Sequence, residues 1–374
     1  MKSFQSGRYE QQAHYKSFQP SPIHRAWTVQ DMALLKLLGE ADRELGKLDM
    51  YSGYVPNIDL FIQMHVLKEA TQSSRIEGTQ TNMEEALLEK KDVAPERRDD
   101  WEEVRNYVAA MNEAVAKLQK LPFSARLIRE THKTLMRGVR GRHKQPGEFR
   151  KSQNWIGGAS INDASFVPPL HTSIGELIAD LERFVHDEQQ HFPELLKAAL
   201  VHYQFETIHP FLDGNGRVGR LLITLYLVSR GLLRQPVLYL SDFFERNRQL
   251  YYDNLMRARE KNDLARWFRF FLVGVTETAR GGIATFDRIL RLQKRVEEQL
   301  QGLGSRTANA QKVMRHLYRH PVADAARIGK AARVSPASAY KLIADLERLG
   351  LLREITGGRR GKRYAFEPYL KLFR

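Results

Sequence analysis

Apolar side chains recur every three or four residues along most of the chain, the period of helices that bury one face. Met32, Leu34, Leu35, Leu37, Leu38, Ala41, Leu45 and Leu48 predict a first helix within 27–48, with Gly53 and Pro56 marking a break after it. A second helix is expected from about Ile58 to about Ser73, with Phe61, Met64, Leu67 and Ala70 on its apolar side and Gly78 as C-cap. A short helix at Met83 and a charged loop precede a long helix over 101–120, striped with Val104, Tyr107, Val108, Met111, Ala114, Val115 and Leu118. Ser124 is placed to cap the next, through Met136. Helical spacing resumes at 173–189, 193–205 and 248–260, the run 221–228 reads as a buried helix, and 267–273 closes the core. A charged helix over 286–303, striped with Ile289, Leu292, Val296 and Leu300, is expected as a linker.

Three stretches depart from this period. Residues 1–26 are polar with scattered aromatics and are expected to wrap over the surface or stay loose. Residues 138–170 are rich in Gly, Pro, Asn and Ser; a structureless loop of more than ~15 residues inside a compact domain is usually functional. Within it, 149–156 and 164–167 are expected to pair as a hairpin around Gly157-Gly158, stopped by Pro168-Pro169. Beyond residue 306, helices at 308–318, 323–331 and 337–349 precede two strands around a glycine-rich basic tip, 356–362. Three helices with a basic β-wing resemble a winged helix-turn-helix, which would place Ser338, Tyr340 and Lys341 near bases and Arg359, Arg360, Lys362 and Arg363 near phosphates.

Charge sharpens the partition. The chain carries a formal +15, and residues 306–374 hold 16 Lys/Arg against 5 Asp/Glu, so a near-neutral body joins a basic tail suited to an acidic partner, DNA first. There is no cysteine, which removes disulfides, thiolate metal sites and thiol catalysis. The first residues lack the apolar core of a secretory signal, and no stretch reaches the ~20 apolar residues of a membrane helix. A soluble cytoplasmic protein is expected, with no membrane partner.

The chemistry gathers in one run, His209-Pro-Phe-Leu-Asp-Gly-Asn-Gly-Arg-Val-Gly-Arg220. It holds a titratable base, a hard oxygen ligand, two glycines around an amide, and two guanidiniums, just before an apolar helix. Free N–H groups and the positive dipole end of that helix make a phosphate cradle, with a base on one lip and Asp213 as a metal ligand beside it.

This run resembles the Fic signature, His-Pro-Phe-x-Asp/Glu-Gly-Asn-Gly-Arg-x-x-Arg, at every specified position. The resemblance implies a mainly α fold: a Fic-type helical core with a short β-hairpin flap, here followed by a small winged-helix (α+β) C-terminal domain. It implies a protein adenylyltransferase that moves AMP from ATP, with Mg²⁺, to a Ser, Thr or Tyr hydroxyl of a target protein or of itself. His209 would be the base and Asp213 the Mg²⁺ ligand. Gly214, Asn215 and Gly216 would cradle the α-phosphate, with Val218 and Gly219 in the same helix turn. Arg217 and Arg220 would clamp the β- and γ-phosphates. Tyr251, and Tyr252 beside it, would lie near the base. The family's flap, here 145–170 with Ile156, Gly157, Gly158 and Ala159 toward the nucleotide, would hold the target segment. An asparagine that some relatives place near the nucleotide falls on Arg259, and nothing is carried over there.

The segment Ser73-Ser-Arg-Ile-Glu-Gly78 resembles the inhibitory motif Ser/Thr-x-x-x-Glu-Gly/Asn that accompanies many Fic domains. By that resemblance Glu77 pairs with Arg220 in the space of the γ-phosphate, with Ser73 on the same helix face. The expected organisation is an inhibitory N-terminal region (1–100), a catalytic core (101–280), a linker helix (281–305) and a winged-helix domain (306–374). A homodimer fits the resemblance. The alternatives are a DNA-binding regulator whose core only senses nucleotide, and an enzyme of the same fold that uses another phosphate donor or removes AMP.

Overall fold

A computed structural model describes residues 4–54, 58–138, 142–357 and 361–373. It is mainly helical. Strands β1 (Gly7–Gln11) and β2 (Lys16–Pro20) lead into α1 (Met32–Tyr54), α2 (Asp59–Ile76), the short α3 (Met83–Ala86), α4 (Arg98–Leu118) and α5 (Ala125–Leu135). After the long loop come α6 (Ile174–His186), α7 (Glu194–Ile208), α8 (Asn215–Ser229), α9 (Ser241–Arg246), α10 (Arg248–Lys261) and α11 (Leu264–Gln301). The C-terminal part holds α12 (Thr307–Arg319), β3 (Val322–Asp324), α13 (Ala325–Ala332), α14 (Pro336–Arg348), β4 (Arg353–Glu354), β5 (Arg363–Ala365) and α15 (Glu367–Leu370).

Helices α7 and α8 form the centre. From Leu195 to Ile208 every residue of α7 is buried, and α8 is buried from Arg217 to Leu227, so neither has a solvent face. The loop 209–214 joins these two core helices, which fixes its ends. Helix α4 packs against α5, α2 and α8, and this carries the end of α2 to the loop. Caps follow sequence chemistry: the Ser124 hydroxyl accepts from Leu127 N–H (3.3 Å), the Asp263 carboxylate from Arg266 N–H (3.2 Å), and Pro336 follows the Ser335 cap of α14.

Several expectations change. Helix α1 starts at Met32 and runs through Gly53, the expected break, to Tyr54; Pro56 lies outside the described residues. Arg234, held by Asp49 (Nε–Oδ2 2.9 Å), lies within 3.1 Å of where a Gly53 side chain would start, so contact with a distant segment uses the glycine. Residues 4–27 are folded, not loose: the β1–β2 hairpin pairs Tyr9 with Phe18, and Phe4, Phe18 and Ile23 are buried. The linker helix is instead the last part of α11, a single helix of 38 residues, with Phe286, Ile289, Leu292, Val296 and Leu300 buried. Gly282 lets Leu48 of α1 approach α11 closely, so this glycine serves helix packing and interrupts nothing.

The expected hairpin over 149–156 and 164–167 reduces to one antiparallel bridge, Ile156 with Phe166 (2.8 and 3.1 Å). Asn154 and Gln153 spend their amides on backbone carbonyls of Phe211 and Pro168, which replaces ladder pairing. The hairpin at the N-terminus extends this edge through Phe18 N–H to Val167 O (2.9 Å).

In the C-terminal part the sheet order is β3-β5-β4, all antiparallel, with β3 absent from the sequence reading. Ring contacts Phe61–Tyr318 (5.6 Å) and His65–Phe373 (5.1 Å) seat it on α2. Arg363, expected at DNA phosphates, is buried and bonded to Asp324 (3.0 Å), Asp92 (2.6 Å) and Glu89 (3.2 Å). It ties β5 to β3 and to the 89–92 turn. Ser338, Tyr340, Lys341 and Lys362 are exposed, while Arg359 and Arg360 lie outside the described residues. No described helix is long and apolar enough to cross a membrane.

Candidate active site

Helix α7 ends at His209, whose backbone is left-handed (φ 50°, ψ 60°) and whose N–H donates to Phe205 O (2.9 Å). A non-glycine residue there is strained unless its surroundings hold it. They do: Arg150, reaching in from the long loop, donates to His209 O (3.0 Å), Ser152 O (3.1 Å) and Pro169 O (2.6 Å). Burial, then Arg259 and Arg150, lower the His209 imidazole to a pKa of about 3, so it is neutral at physiological pH. Its buried Nδ1 has no well-formed hydrogen bond among the described residues.

The loop closes on itself. Asn215 Oδ1 accepts from Phe211 N–H (2.9 Å) while Nδ2 donates to Phe211 O (2.8 Å). Its amide is a loop clasp. Gly214 is left-handed (φ 76°), and a side chain there would strike Met136. The first intrahelical bond of α8 runs from Val218 N–H to Gly214 O (3.0 Å), which leaves the N–H groups of Asn215, Gly216 and Arg217 at the open end of the helix. Asp213, about half exposed, accepts Gly214 N–H on Oδ1 (2.6 Å) and faces the same opening. Val218 is buried in the core, and Gly219 makes room for the Glu206 carboxyl, so neither faces a nucleotide.

Both guanidiniums are occupied. Arg220 donates through Nε to Ser73 Oγ (2.8 Å), and through Nη2 to Ser73 O (2.9 Å) and Glu77 Oε1 (2.7 Å). Burial raises the Glu77 carboxyl, but Arg220 outweighs it and the net shift is downward. The carboxylate lies over Gly216, where any side chain would collide with it, at the positive end of α8. Gly78 is left-handed (φ 97°) and turns the chain out of α2 there. Arg217 Nη1 bonds Glu103 Oε2 of α4 (3.0 Å), which also accepts the Thr79 hydroxyl (3.1 Å). The two arginines are thus held by two carboxylates, both connected to the 73–79 segment.

The tyrosine pair divides. Tyr251 is buried, stacks on Phe244 (4.5 Å) and donates to His202 Nε2 (2.9 Å), whose Nδ1–H in turn bonds Gly219 O (2.9 Å). It braces α8 from within; the half-exposed Tyr252 is the one with a free face. Ile156 is partly exposed and Gly157, Gly158 and Ala159 are exposed at the loop tip, where Asp163 accepts the Ala159 (2.9 Å) and Ser160 (2.7 Å) N–H groups.

Sequence reading missed Glu103, Arg150, His132 and Glu206. His132 stacks on Phe211 (3.7 Å, 5°), accepts Gly147 N–H on Nδ1 (2.8 Å) and so donates through Nε2 to Asp213 O (3.0 Å). Burial lowers it to about 4, which keeps that tautomer neutral. Glu206 is buried and raised to about 7 by burial, against the pull of Arg220. None belongs to a motif.

Comparison with known proteins agrees with this geometry. The Fic/DOC family N-terminal model matches residues 35–116 and the Fic/DOC family model residues 122–227, together about half the chain. A probable protein adenylyltransferase from Aquifex aeolicus (strain VF5) is 33% identical over 155 residues, 40% of this chain and 44% of the relative. The protein adenylyltransferase Fic of Drosophila grimshawi is 33% identical over 177 residues, 46% of this chain and 33% of that protein. The matched part thus spans under half the length of these relatives. A Fic family protein from Desulfovibrio desulfuricans G20 shares the fold with a TM-score of 0.58 at 19% identity, over 91% of this chain and 98% of that one. A Fic domain containing signaling protein from Bacteroides thetaiotaomicron VPI-5482 gives 0.54 at 18%, over 67% and 97%. The 209–220 loop and the 73–78 segment fall inside the two matched ranges, and the chain belongs to the Fic/DOC family.

Proposed function

We propose that the chain is a protein adenylyltransferase, transferring AMP from ATP to a hydroxyl of a protein target or of itself, and that Glu77 holds it inactive. The observation that carries the reading is the Arg220–Glu77 pair (2.7 Å) at the open N-terminus of α8, an anion site filled by the protein's own carboxylate. The names of the Aquifex and Drosophila relatives support the same reaction.

With Glu77 withdrawn, the γ-phosphate takes its place on Arg220, and the N–H groups of 215–217 receive the α- and β-phosphates. The target hydroxyl oxygen attacks the α-phosphorus while neutral His209 accepts its proton, which needs a free base and finds one. The bond to the bridging oxygen breaks, pyrophosphate leaves, and AMP stays on the target. Asp213 fits a Mg²⁺ site: Mg²⁺ takes one or two carboxylates together with substrate phosphates, and this carboxylate is exposed at the cradle mouth. Bound there, the ion would neutralise phosphate charge. The bridged edge at Ile156–Phe166 would hold an extended target segment by main-chain bonds. Tyr252 replaces Tyr251 as the residue nearest an adenine.

For the C-terminal unit we retain DNA as a partner through the exposed Ser338, Tyr340, Lys341 and Lys362, without Arg363. A cytoplasmic location and a homodimer rest on cysteine-free composition and on family resemblance alone. The test of the main reading is transfer of label from ATP labelled on the α-phosphate. Glu77→Gly protein takes up label and Glu77→Gly/His209→Ala does not; label from the γ-phosphate instead, or none with either variant, rejects it.

A further inference from the structure

The carbonyls at a helix C-terminus are unpaired and carry the negative end of the dipole, so a histidine there ordinarily gains proton affinity. His209 sits at that place on α7, yet two buried guanidiniums reach its carbonyls first. Arg259 of α10 donates to Glu206 O (3.1 Å) and, through Nε, to Thr207 Oγ1 (3.1 Å). Arg150 donates to His209 O (3.0 Å) and Ile208 O (3.4 Å). Neither has a carboxylate at ion-pair distance among the described residues; their acceptors are neutral oxygens and, for Arg259, the Met256 sulfur (3.5 Å). A buried cation without a counter-ion is destabilising, so its place at this helix end calls for an explanation.

We infer that Arg150 and Arg259 are positioning residues that reverse the charge at the end of α7 and fix the left-handed turn of His209, adding to burial in disfavouring a charged ring there. This rests on the reading of His209 as the base. The arginines also carry the flap: Arg150 bonds Pro169 O (2.6 Å) and Ser152 O (3.1 Å), and Arg259 lies 4.1 Å over the Phe166 ring, the residue bridged to Ile156. The edge that would receive a target and the base that would act on it therefore share two anchors. The other charged groups facing His209 pull the opposite way or not at all. Glu77, from the end of α2, and the Glu206 carbonyl, one turn earlier in α7, favour the protonated ring, while the Glu206 carboxyl is itself raised toward neutrality by burial. Withdrawal of Glu77, as the lock opens, leaves the two cations unopposed.

The test is the ring titration of His209 by NMR in the full chain with ¹³C/¹⁵N-labelled histidine, assigned by loss of the signal in His209→Gln. It needs neither nucleotide nor target, so it is independent of whether AMP transfer occurs. Arg150→Met and Arg259→Met should each raise the midpoint by about one pH unit, the scale of a nearby like charge. Arg259→Lys, which keeps the charge, should leave it near the wild-type value. Circular dichroism and melting identify a variant that does not fold, and the other arginine then decides. In active protein the acid limb of the pH–rate profile should move up by the same amount. A wild-type midpoint near 6.5, or unmoved midpoints in folded methionine variants, overturns the inference.

Discussion

Replacing Glu77 with glycine should strengthen ATP binding at this site. The carboxylate contributes one charge-assisted hydrogen bond to Arg220 and occupies the space over Gly216. Such a bond is worth about 1.5–3 kcal/mol, and because the Glu77 side chain is 37% exposed the lower end applies. If the open state is the less populated by that amount, ATP affinity is reduced by the same factor, roughly tenfold. Calorimetric titration of ATP–Mg²⁺ into His209→Ala protein, with and without Glu77→Gly, should show at least that gain. Glu77→Gln removes the charge but keeps the bulk, and should fall between. Without nucleotide, Glu77→Gly should melt lower than the parent, since Arg220 keeps only Ser73; with saturating ATP it should recover. Equal affinity in parent and variant would refute the reasoning, because a group with no differential effect on ATP binding cannot be a lock.

Three further outcomes follow from the same geometry. Glu103→Gln in the Glu77→Gly background should tighten ATP binding several-fold by freeing Arg217 from its 3.0 Å pair, measured by the same calorimetry; weaker binding would mean Glu103 serves to position Arg217. His132 is held neutral in the fold, its pKa lowered from 6.5 to about 4, so the unfolded chain binds the extra proton between these values. Its contribution to stability is complete above pH 6.5 and is lost as pH falls toward 4, and denaturant melts of His132→Gln should show a shallower slope there than the parent, whose other buried histidines contribute the rest. Arg363→Gln should lower thermal stability by about 1–3 kcal/mol through the unpaired Asp92 and Asp324, yet leave the salt dependence of any DNA binding unchanged, whereas Lys341→Gln should reduce that slope by about one.

The loop was legible because its chemistry is contiguous: base, acid, glycines and arginines fall within twelve residues and a helix start is marked by the apolar run after them. Glu77 was legible through spacing alone, since four residues place Ser73 and Glu77 on one helix face. What failed were questions of which neighbour a side chain meets. Gly53 and Gly282 read as breaks or passed unnoticed, but both serve close approach by side chains of segments far away in sequence. Tyr251 was preferred to its neighbour Tyr252, yet packing turns it inward against Phe244 and His202. Arg363 looked like part of a basic wing, and only the folded chain brings Asp92, more than 250 residues earlier, to it. Glu103, His132 and Arg150 act on the loop from three other segments, and no local pattern announces such a role.

The central claim is that this loop moves AMP, and that Glu77 stands in its way. Intact mass spectrometry after incubation with ATP and Mg²⁺ tests both halves together. Glu77→Gly protein should gain the mass of one or more AMP groups, wild-type protein little, and Glu77→Gly/His209→Ala none. An unmodified Glu77→Gly chain, alone and with candidate target proteins, or equal modification of wild type and variant, would contradict it.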